Sequence, residues 1–427
     1  MGFIMTSEIF VPSLEFFPLE KVDWPSSSEL IRFRESSRPR EILSEKVIIK
    51  SLGRRNVAII ADPVAAQKVL ISKSESFPKA LVQQKLGKSA FGPGISGTLG
   101  EQNKRQRKAL QTLVSSKQVR SVSSISEEIA NDAVTRWLAL GKIDLYREMS
   151  ELALQITWCS MFGAGQYHGR DNIVTEVINE LHACPKSDFV SSADVVRKLV
   201  KHFESTERWK SVINTNPFSK ISCPFGWQSN NHLSQEELRA NALVFAASGH
   251  VTTGISMAWT SWLLGQDQAL QSEVLKDSYL DDNKHSMLRD VINETLRLFP
   301  PGPEVMRDSS EAIQIDDTHV PAGSMLIISI YALHRHKLLW NSPDQFIPSR
   351  FQTDLPVPGS FLPFSGGTYG CSGPGLAMAE MISVIFACLK KIRFRVDKAD
   401  AAMVKLEPGI CLYPGSKLIA TIEKRLD

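Results

Sequence analysis

The chain has 427 residues, of which 43% are hydrophobic and 22% charged; this balance is ordinary for a folded globular protein and leaves no disordered tract. A net charge of +3 is too small to argue for nucleic acid, and no zinc-finger spacing or long basic run supports it. The six cysteines (Cys159, Cys184, Cys223, Cys371, Cys388 and Cys411) form no paired framework, which points to a reducing compartment such as the cytoplasm.

In chain order, MGFIMTSEIF lacks a basic stretch followed by an apolar core, so neither a signal peptide nor an anchor is expected. Met1-Gly2 with Thr6 fits only the loose myristoylation pattern, which recurs by chance. Lys46 to Ala61 predicts a hairpin, two β-branched runs around a glycine turn. Asp62-Pro63 then starts a helix, with Asp as N-cap and Pro at the first position. Residues 80–100 hold five glycines and a proline and are expected to form a long loop. A basic helix follows over Glu101 to Ser115, then helices over 124–139, 143–162, 170–183 and 193–212. Asn214 to Asn231 is a polar connection, after which Ser234 and Glu237 make a capping box.

The helix this box opens includes the most apolar long segment, Ala242 to Leu264. Its length would suit a membrane span, but Ser248, Gly249, His250, Thr252, Thr253 and Ser256 interrupt it. A helix buried through the middle of the protein is the better reading, and no membrane span is expected. Further on, Ser286–Phe299 predicts a helix ended by Pro300-Pro301, with strands near Val305–Arg307, Ala312–Ile315 and Met325–Ile330. A last long helix is predicted over Pro374 to Lys391, and the final 35 residues alternate as β-hairpins. The fold class is mainly α with a minor β part. One domain is expected over 1–427, β-rich at about 40–62, 304–330 and 392–427, α-rich at about 63–300 and 373–391.

Chemistry concentrates in Phe364-Ser-Gly-Gly-Thr-Tyr-Gly-Cys371-Ser-Gly373. Four glycines permit a tight turn close to something flat, and the cysteine sits just before a helix N-terminus, where a thiolate is stabilised. From the residues alone, Cys371 is a nucleophile, a metal ligand or a buried structural thiol. A second constellation, Glu294-Thr-Leu-Arg297, places an acid and a base on one helix face, a pattern common on surfaces. A third, Ala246-Ala-Ser-Gly249-His250-Val251-Thr252-Thr253, puts a glycine inside a helix at a cost of about 1 kcal/mol, which suggests that something approaches closely there.

The pattern Phe-x-x-Gly-x-x-x-Cys-x-Gly, followed by Leu376-Ala377 and Glu380, resembles the haem-ligand signature of the cytochromes P450. Glu294-x-x-Arg297 resembles that family's Glu-x-x-Arg helix, and Pro348-Ser-Arg350-Phe351 its Pro-x-Arg-Phe element. The resemblance runs from the hairpin near residue 46 to the final strands. It implies the P450 fold, with a long central helix over a buried haem b whose iron takes Cys371 as thiolate ligand. Phe364, Gly367, Gly373 and Ala377 would pack against that haem, with Gly367 letting the backbone approach it. Glu294, Arg297 and Arg350 would form a structural network behind the cysteine turn.

By the same resemblance, Gly249 opens a groove for dioxygen and Thr252 assists proton delivery, while Val251 replaces the usual acid and adjacent His250 lies about 100° away. The haem propionates would take Arg107, Arg307 and Tyr369, with Asn103 standing where an aromatic residue is usual. Leu81, Phe91, Val244, Ala247, Glu304, Val305 and Ile410 would contact substrate, as would residues near 181–200. Lys104, Arg105 and Lys108 would face an acidic electron donor. The implied function is a soluble monooxygenase acting on a hydrophobic terpenoid or lipid-like molecule, as in a bacterial biosynthetic pathway. It would be monomeric and fed from NAD(P)H through a ferredoxin or flavodoxin with its reductase. Val251 keeps open a peroxide-using, rearranging or coupling enzyme, and a non-catalytic haem sensor is the alternative of another class.

Overall fold

A computed structural model describes residues 9–21, 38–52, 55–162, 233–280, 285–409 and 411–425 of the protein. The predicted hairpin forms, β1 (Val47–Leu52) pairing antiparallel with β2 (Arg55–Ile60). The Asp62 side chain accepts from the Ala65 N–H, capping α1 (Pro63–Gln67), which runs into a π-turn over Lys68–Ser72.

The expected loop over 80–100 is in its first half a helix, α2 (Leu81–Phe91), closed by Gly92 at φ +78°. Leu, Gln and Lys are good helix formers, and the glycines that suggested a loop serve packing instead. A Cβ on Gly87 would lie 2.7 Å from the Ser96 carbonyl carbon, so this glycine lets residues 92–99 fold back against the helix.

Then come α3 (Gly100–Leu110), α4 (Ser116–Leu140), a short strand β3 (Lys142–Asp144) and α5 (Leu145–Phe162). Helix α4 starts at Ser116, ahead of its expected boundary at residue 124. The helices expected at 170–183 and 193–212 and the connection at 214–231 lie outside the described residues.

The Ser234 and Glu237 capping box opens α6 (Gln235–Gly265), both of its reciprocal bonds being formed. From Thr253 onward every residue of α6 is buried, as an all-round apolar helix requires. Trp259 stacks on Phe299 at 4.2 Å between ring centroids and meets Trp262 edge-on at 5.4 Å, anchoring α6 in the main core. Gly254 lets α5 come close: a Cβ there would lie 2.8 Å from the Ser150 Cα.

Helices α7 (Gln268–Leu280) and α8 (Ser286–Leu298) pack on α6, and α8 ends before the two prolines as expected. The β part is drawn from both halves of the chain. Strands β4 (Glu304–Asp308) and β7 (Met325–Ser329) complete a four-stranded sheet in the order β1-β2-β7-β4, with β2 and β7 parallel. Between them β5 (Ile313–Ile315) and β6 (Thr318–Val320) make a small hairpin. Short helices α9 (Ile330–Arg335) and α10 (Arg350–Thr353) precede the cysteine turn, and α11 (Pro374–Leu389) follows it.

At the C-terminus, β8 (Ile392–Arg395) pairs with β11 (Ile419–Lys424), which also pairs with β3, and α12 (Lys398–Ala402) interrupts the expected run of hairpins. Strands β9 (Leu406–Pro408) and β10 (Leu412–Pro414) form the last hairpin. The fold is mainly α with small sheets. No helix among the described residues is long and apolar enough to cross a membrane.

Candidate active site

The turn before α11 is held by its own backbone: the Cys371 N–H donates to the Phe364 carbonyl at 2.9 Å, and the Gly370 N–H to the Gly367 carbonyl at 3.1 Å. Gly367 sits at φ +63°, and a Cβ there would fall 1.9 Å from the Leu70 carbonyl oxygen. Its freedom therefore serves packing against the π-turn. On its Cβ side Leu70 and Ile71 occupy the space, and Gly367 itself is not among the residues that line the cavity, although Ser365, Tyr369 and Gly370 of the same turn are. The Phe364 side chain packs against the main core and is likewise absent from the cavity wall.

The Cys371 thiol lies 3.4 Å from the Gly373 N–H at the start of α11. Burial pushes this thiol up, while that N–H and the Arg107 guanidinium pull it back. Cys371, Gly373 and Ala377 all line one cavity of about 630 Å³.

The opposite wall comes from α6, where Val244, Ala247, Ser248, Gly249, Val251 and Thr252 face inward. The Thr252 hydroxyl donates back to the Ser248 carbonyl at 2.9 Å. Gly249 faces α5 as well as the cavity, because a Cβ there would meet Thr157 Oγ1 at 3.2 Å; close helix packing is the first use of this glycine. His250 is corrected: it is 1% exposed, its Nδ1 sits 2.7 Å from the Ala246 carbonyl, and it is not on the cavity wall. Burial lowers its pKa, leaving a neutral ring spent on the helix backbone.

Three cations converge on this cavity: Arg107 from α3, Arg307 from β4, and Lys79 just before α2. Arg107 donates to the Gly370 carbonyl at 2.9 Å, and Arg307 to its neighbour's carbonyl at Met306. Lys79 and Arg307 stand over the Tyr369 ring, 5.1 and 5.5 Å from its centroid. Burial lowers all three cations: Arg307 to about 10, Lys79 to about 7 with help from the charges of Arg307 and Arg107, and Arg107 by a smaller amount.

Among the described residues the only carboxyl on the wall is Glu380; it forms no ion pair with any of the three cations, and burial pushes its pKa well up. Buried cations without an acidic partner call for an anion. The wall thus offers two free thiols, Cys371 beside the start of α11 and Cys411 in the C-terminal part, together with a cationic end; Cys371 with the cations fits a flat iron-bearing group with two carboxylates.

Lys79 was not legible in the sequence, where a single lysine between Pro78 and Ala80 reads as surface. Asn103 does not reach the cavity; it is fully buried and donates to the Ile95 and Thr98 carbonyls. Of the expected substrate contacts, Phe91, Val244, Ala247 and Val305 line the cavity. Leu81 is corrected to 51% exposed, because α2 turns Gln83, Leu86, Gly87 and Ala90 inward instead.

Glu304 is also corrected. It alternates with Val305 and Arg307 along β4 and pairs with the buried Arg38 on the other side. Ile410 lies outside the described residues. On α3, Lys104 pairs with Glu75 at 2.8 Å, and Arg105 pairs with Glu237, so both of these charges already have internal partners.

Behind the turn, Glu294 is fully buried and accepts from Arg297 Nε at 2.7 Å, Arg350 Nε at 3.0 Å and the Ile347 N–H at 2.8 Å. Arg297 also donates to the carbonyls of His334, Pro343 and Gln345, tying α8 to the segment that leads into the cysteine turn.

Compared with known families, residues 193–419, more than half of the chain, match the family described as Cytochrome P450. The chain belongs to the cytochrome P450 family. Cytochrome P450 4B1 of Rattus norvegicus is 33% identical over 207 residues, 44% of this chain and 40% of that one. The chain thus matches about two-fifths of the length of that relative. Longer alignments reach cyclooctatin synthase of Streptomyces melanosporofaciens, 24% identical over 85% of this chain and 86% of that one. Carotene epsilon-monooxygenase of Arabidopsis thaliana is also 24% identical, over 87% and 78%. A crystal structure of a 6-coordinated cytochrome P450 from Thermus thermophilus superposes with a TM-score of 0.70 at 22% identity, covering 89% of this chain and 95% of that one. The P450 fold and family carry with them haem b as cofactor.

Proposed function

We propose that this P450 is a monooxygenase acting on a hydrophobic small molecule, terpenoid or lipid-like. Electrons would come from NAD(P)H through a separate ferredoxin or flavodoxin and its reductase. The observation that carries this reading is the convergence of Cys371 with Lys79, Arg107 and Arg307 on one cavity whose opposite wall is the Ser248–Thr252 face of α6. Cys371 would hold the haem iron, Arg107 and Arg307 with Tyr369 its carboxylates, and Gly373 and Ala377 its edge near α11, while Lys79, whose ammonium donates to the Ile95, Ser96 and Thr98 carbonyls, would add positive charge nearby. Bound there, haem supplies dioxygen activation. One oxygen atom enters a C–H bond or alkene, and the other leaves as water with two electrons and two protons.

The chain's own contribution is positioning. Phe91, Val244, Ala247 and Val305 give an apolar surface that desolvates the substrate and holds it against α6. The Gly373 N–H and Arg107 stabilise the sulfur in its anionic form. Support for a hydrophobic substrate also comes from the relative named carotene epsilon-monooxygenase. The test is a reduced, carbon monoxide-bound difference spectrum followed by turnover with NAD(P)H and redox partners. A thiolate-type band with coupled product formation is expected, and loss of that band in Cys371→Ala.

A second reading is favoured by Val251, which lines the cavity where the family usually carries an acid. Under it the enzyme uses peroxide, rearranges or couples without ordinary proton delivery. Fast turnover with hydrogen peroxide and none with the reductase system would select it.

A further inference from the structure

The cavity wall is mostly apolar, but one corner carries polar atoms with nothing to bind. Gln83 on α2 and Ser96 in the segment after it both line the cavity, and both Gln83 Oε1 and Ser96 Oγ are buried without a hydrogen-bond partner among the described residues. Buried polar atoms of this kind are uncommon in folded proteins and ask for an explanation.

The two belong to one corner. Gly87, one helical turn after Gln83, packs directly on the Ser96 backbone, a Cβ there falling 2.8 Å from the Ser96 carbonyl oxygen. The Ser96 backbone is fixed from several sides: Lys79 Nζ donates to the carbonyls of Ile95, Ser96 and Thr98, and the Ile95 N–H donates to Asn241 at 2.8 Å. The main chain around it is engaged while its hydroxyl is left over. A rigid support with an unused polar tip is what a preorganised binding contact requires.

Resting on the monooxygenase reading above, we propose that Gln83 and Ser96 anchor a hydroxyl group carried by an otherwise apolar substrate. A hydroxyl both donates and accepts, so it satisfies the pair whichever way the Gln83 amide is turned. A pure hydrocarbon leaves both atoms unpaired. The substrate class is therefore a hydrophobic alcohol, held by its oxygen at the α2 corner with an apolar part of its skeleton left for the Ser248–Thr252 face of α6.

The experiment uses the haem-loaded protein and matched ligand pairs, adamantane with 1-adamantanol and dodecane with 1-dodecanol. Affinities are read from the shift of the Soret band. In the wild type the alcohols bind at least as tightly as the hydrocarbons, even though desolvating a hydroxyl disfavours them. Gln83→Leu is expected to lower the alcohol-to-hydrocarbon affinity ratio about tenfold, and Ser96→Ala severalfold. An unchanged ratio in both variants overturns the anchor and leaves these atoms to bound water. So does a wild type that shows the thiolate-type carbon monoxide band yet binds neither member of either pair. Absence of that band in the wild type is a separate failure, of the haem-thiolate reading itself. The same band in each variant establishes that the fold survived the substitution.

Discussion

Replacing Glu294 with Gln tests how the cysteine turn is supported. The substitution keeps side-chain volume but removes the negative charge and puts an NH2 where an oxygen accepted. In the wild type that carboxylate is fully buried and serves Arg297 twice, Arg350 once and the Ile347 N–H once. Both guanidiniums are themselves buried, at 0% and 3% exposure, so they lose a counter-charge that water cannot replace. Breaking a buried pair by deleting one partner costs about 3–5 kcal/mol, here with two cations stranded. Against a total stability of roughly 5–15 kcal/mol, such a loss removes a large share of the folding free energy. The expected outcome is a protein that expresses poorly, retains little haem, gives a weak carbon monoxide band and unfolds at markedly lower urea. Arg297→Lys should follow it closely, since a point charge cannot reach the three backbone carbonyls and the carboxylate together. A Glu294→Gln protein with full haem and stability within about 1 kcal/mol of wild type would refute the reasoning, because a buried pair broken on one side costs several times that.

Gly367→Ala should abolish haem retention, because the new methyl meets the Leu70 carbonyl oxygen in a left-handed backbone; normal haem content in this variant would show that the turn is not held as described. Arg307→Leu is expected to weaken haem affinity at least tenfold, with Lys79→Met milder because its ammonium is spent on the Ile95, Ser96 and Thr98 carbonyls, as measured by haem transfer to apomyoglobin. The Arg105 guanidinium beside Glu237 holds that carboxyl down at about 2, below an unfolded value of about 4.3. A depressed acid contributes stability above the unfolded pKa and loses it as pH falls toward the folded one, so the window runs from about pH 4.5 to 2. Glu237→Gln should therefore be less stable than wild type at pH 6, by about 1–2 kcal/mol after allowance for solvent around Arg105, with the gap narrowing below about pH 4. A pH-independent gap would assign the loss to packing.

The parts legible in the sequence are those written in local pattern. Asp62-Pro63, the Ser234 and Glu237 box and the prolines after Leu298 each fix a helix boundary within a few residues, and each forms as read. Contacts between distant segments were not legible. The pairing of β3 with β11 joins residues about 275 apart, and Lys79 reaches the cavity only because α2 and the segment after it fold back over Gly87. The loop expected over 80–100 went wrong for a related reason: Gly87, which weakens a helix in isolation, is kept in this one to let backbone approach backbone. Glu304 and Leu81 failed on periodicity, since strand alternation and helical phase turn each away from the cavity that its neighbours line.

The two walls of the cavity are built on different physics. The cysteine side rests on buried charge: a carboxylate with two guanidiniums behind the turn, and three cations at its edge that no acid among the described wall residues balances. Such an arrangement specifies one ligand geometry strongly, because every misplacement leaves a charge unpaired. The α6 side carries only hydroxyls on an apolar face, Ser248, Thr252 and Thr253 beside Val251. The Thr252 hydroxyl already gives its proton to the Ser248 carbonyl, which leaves its oxygen as an acceptor. In this position it can receive a hydrogen bond from a group in the cavity. A proton moving toward that group has to come through water or another hydroxyl, since Val251 cannot carry one and His250 is turned into the helix. Under the proposed function, Val251→Glu with product coupling as the readout tests whether an acid at this point of the cavity wall changes proton delivery.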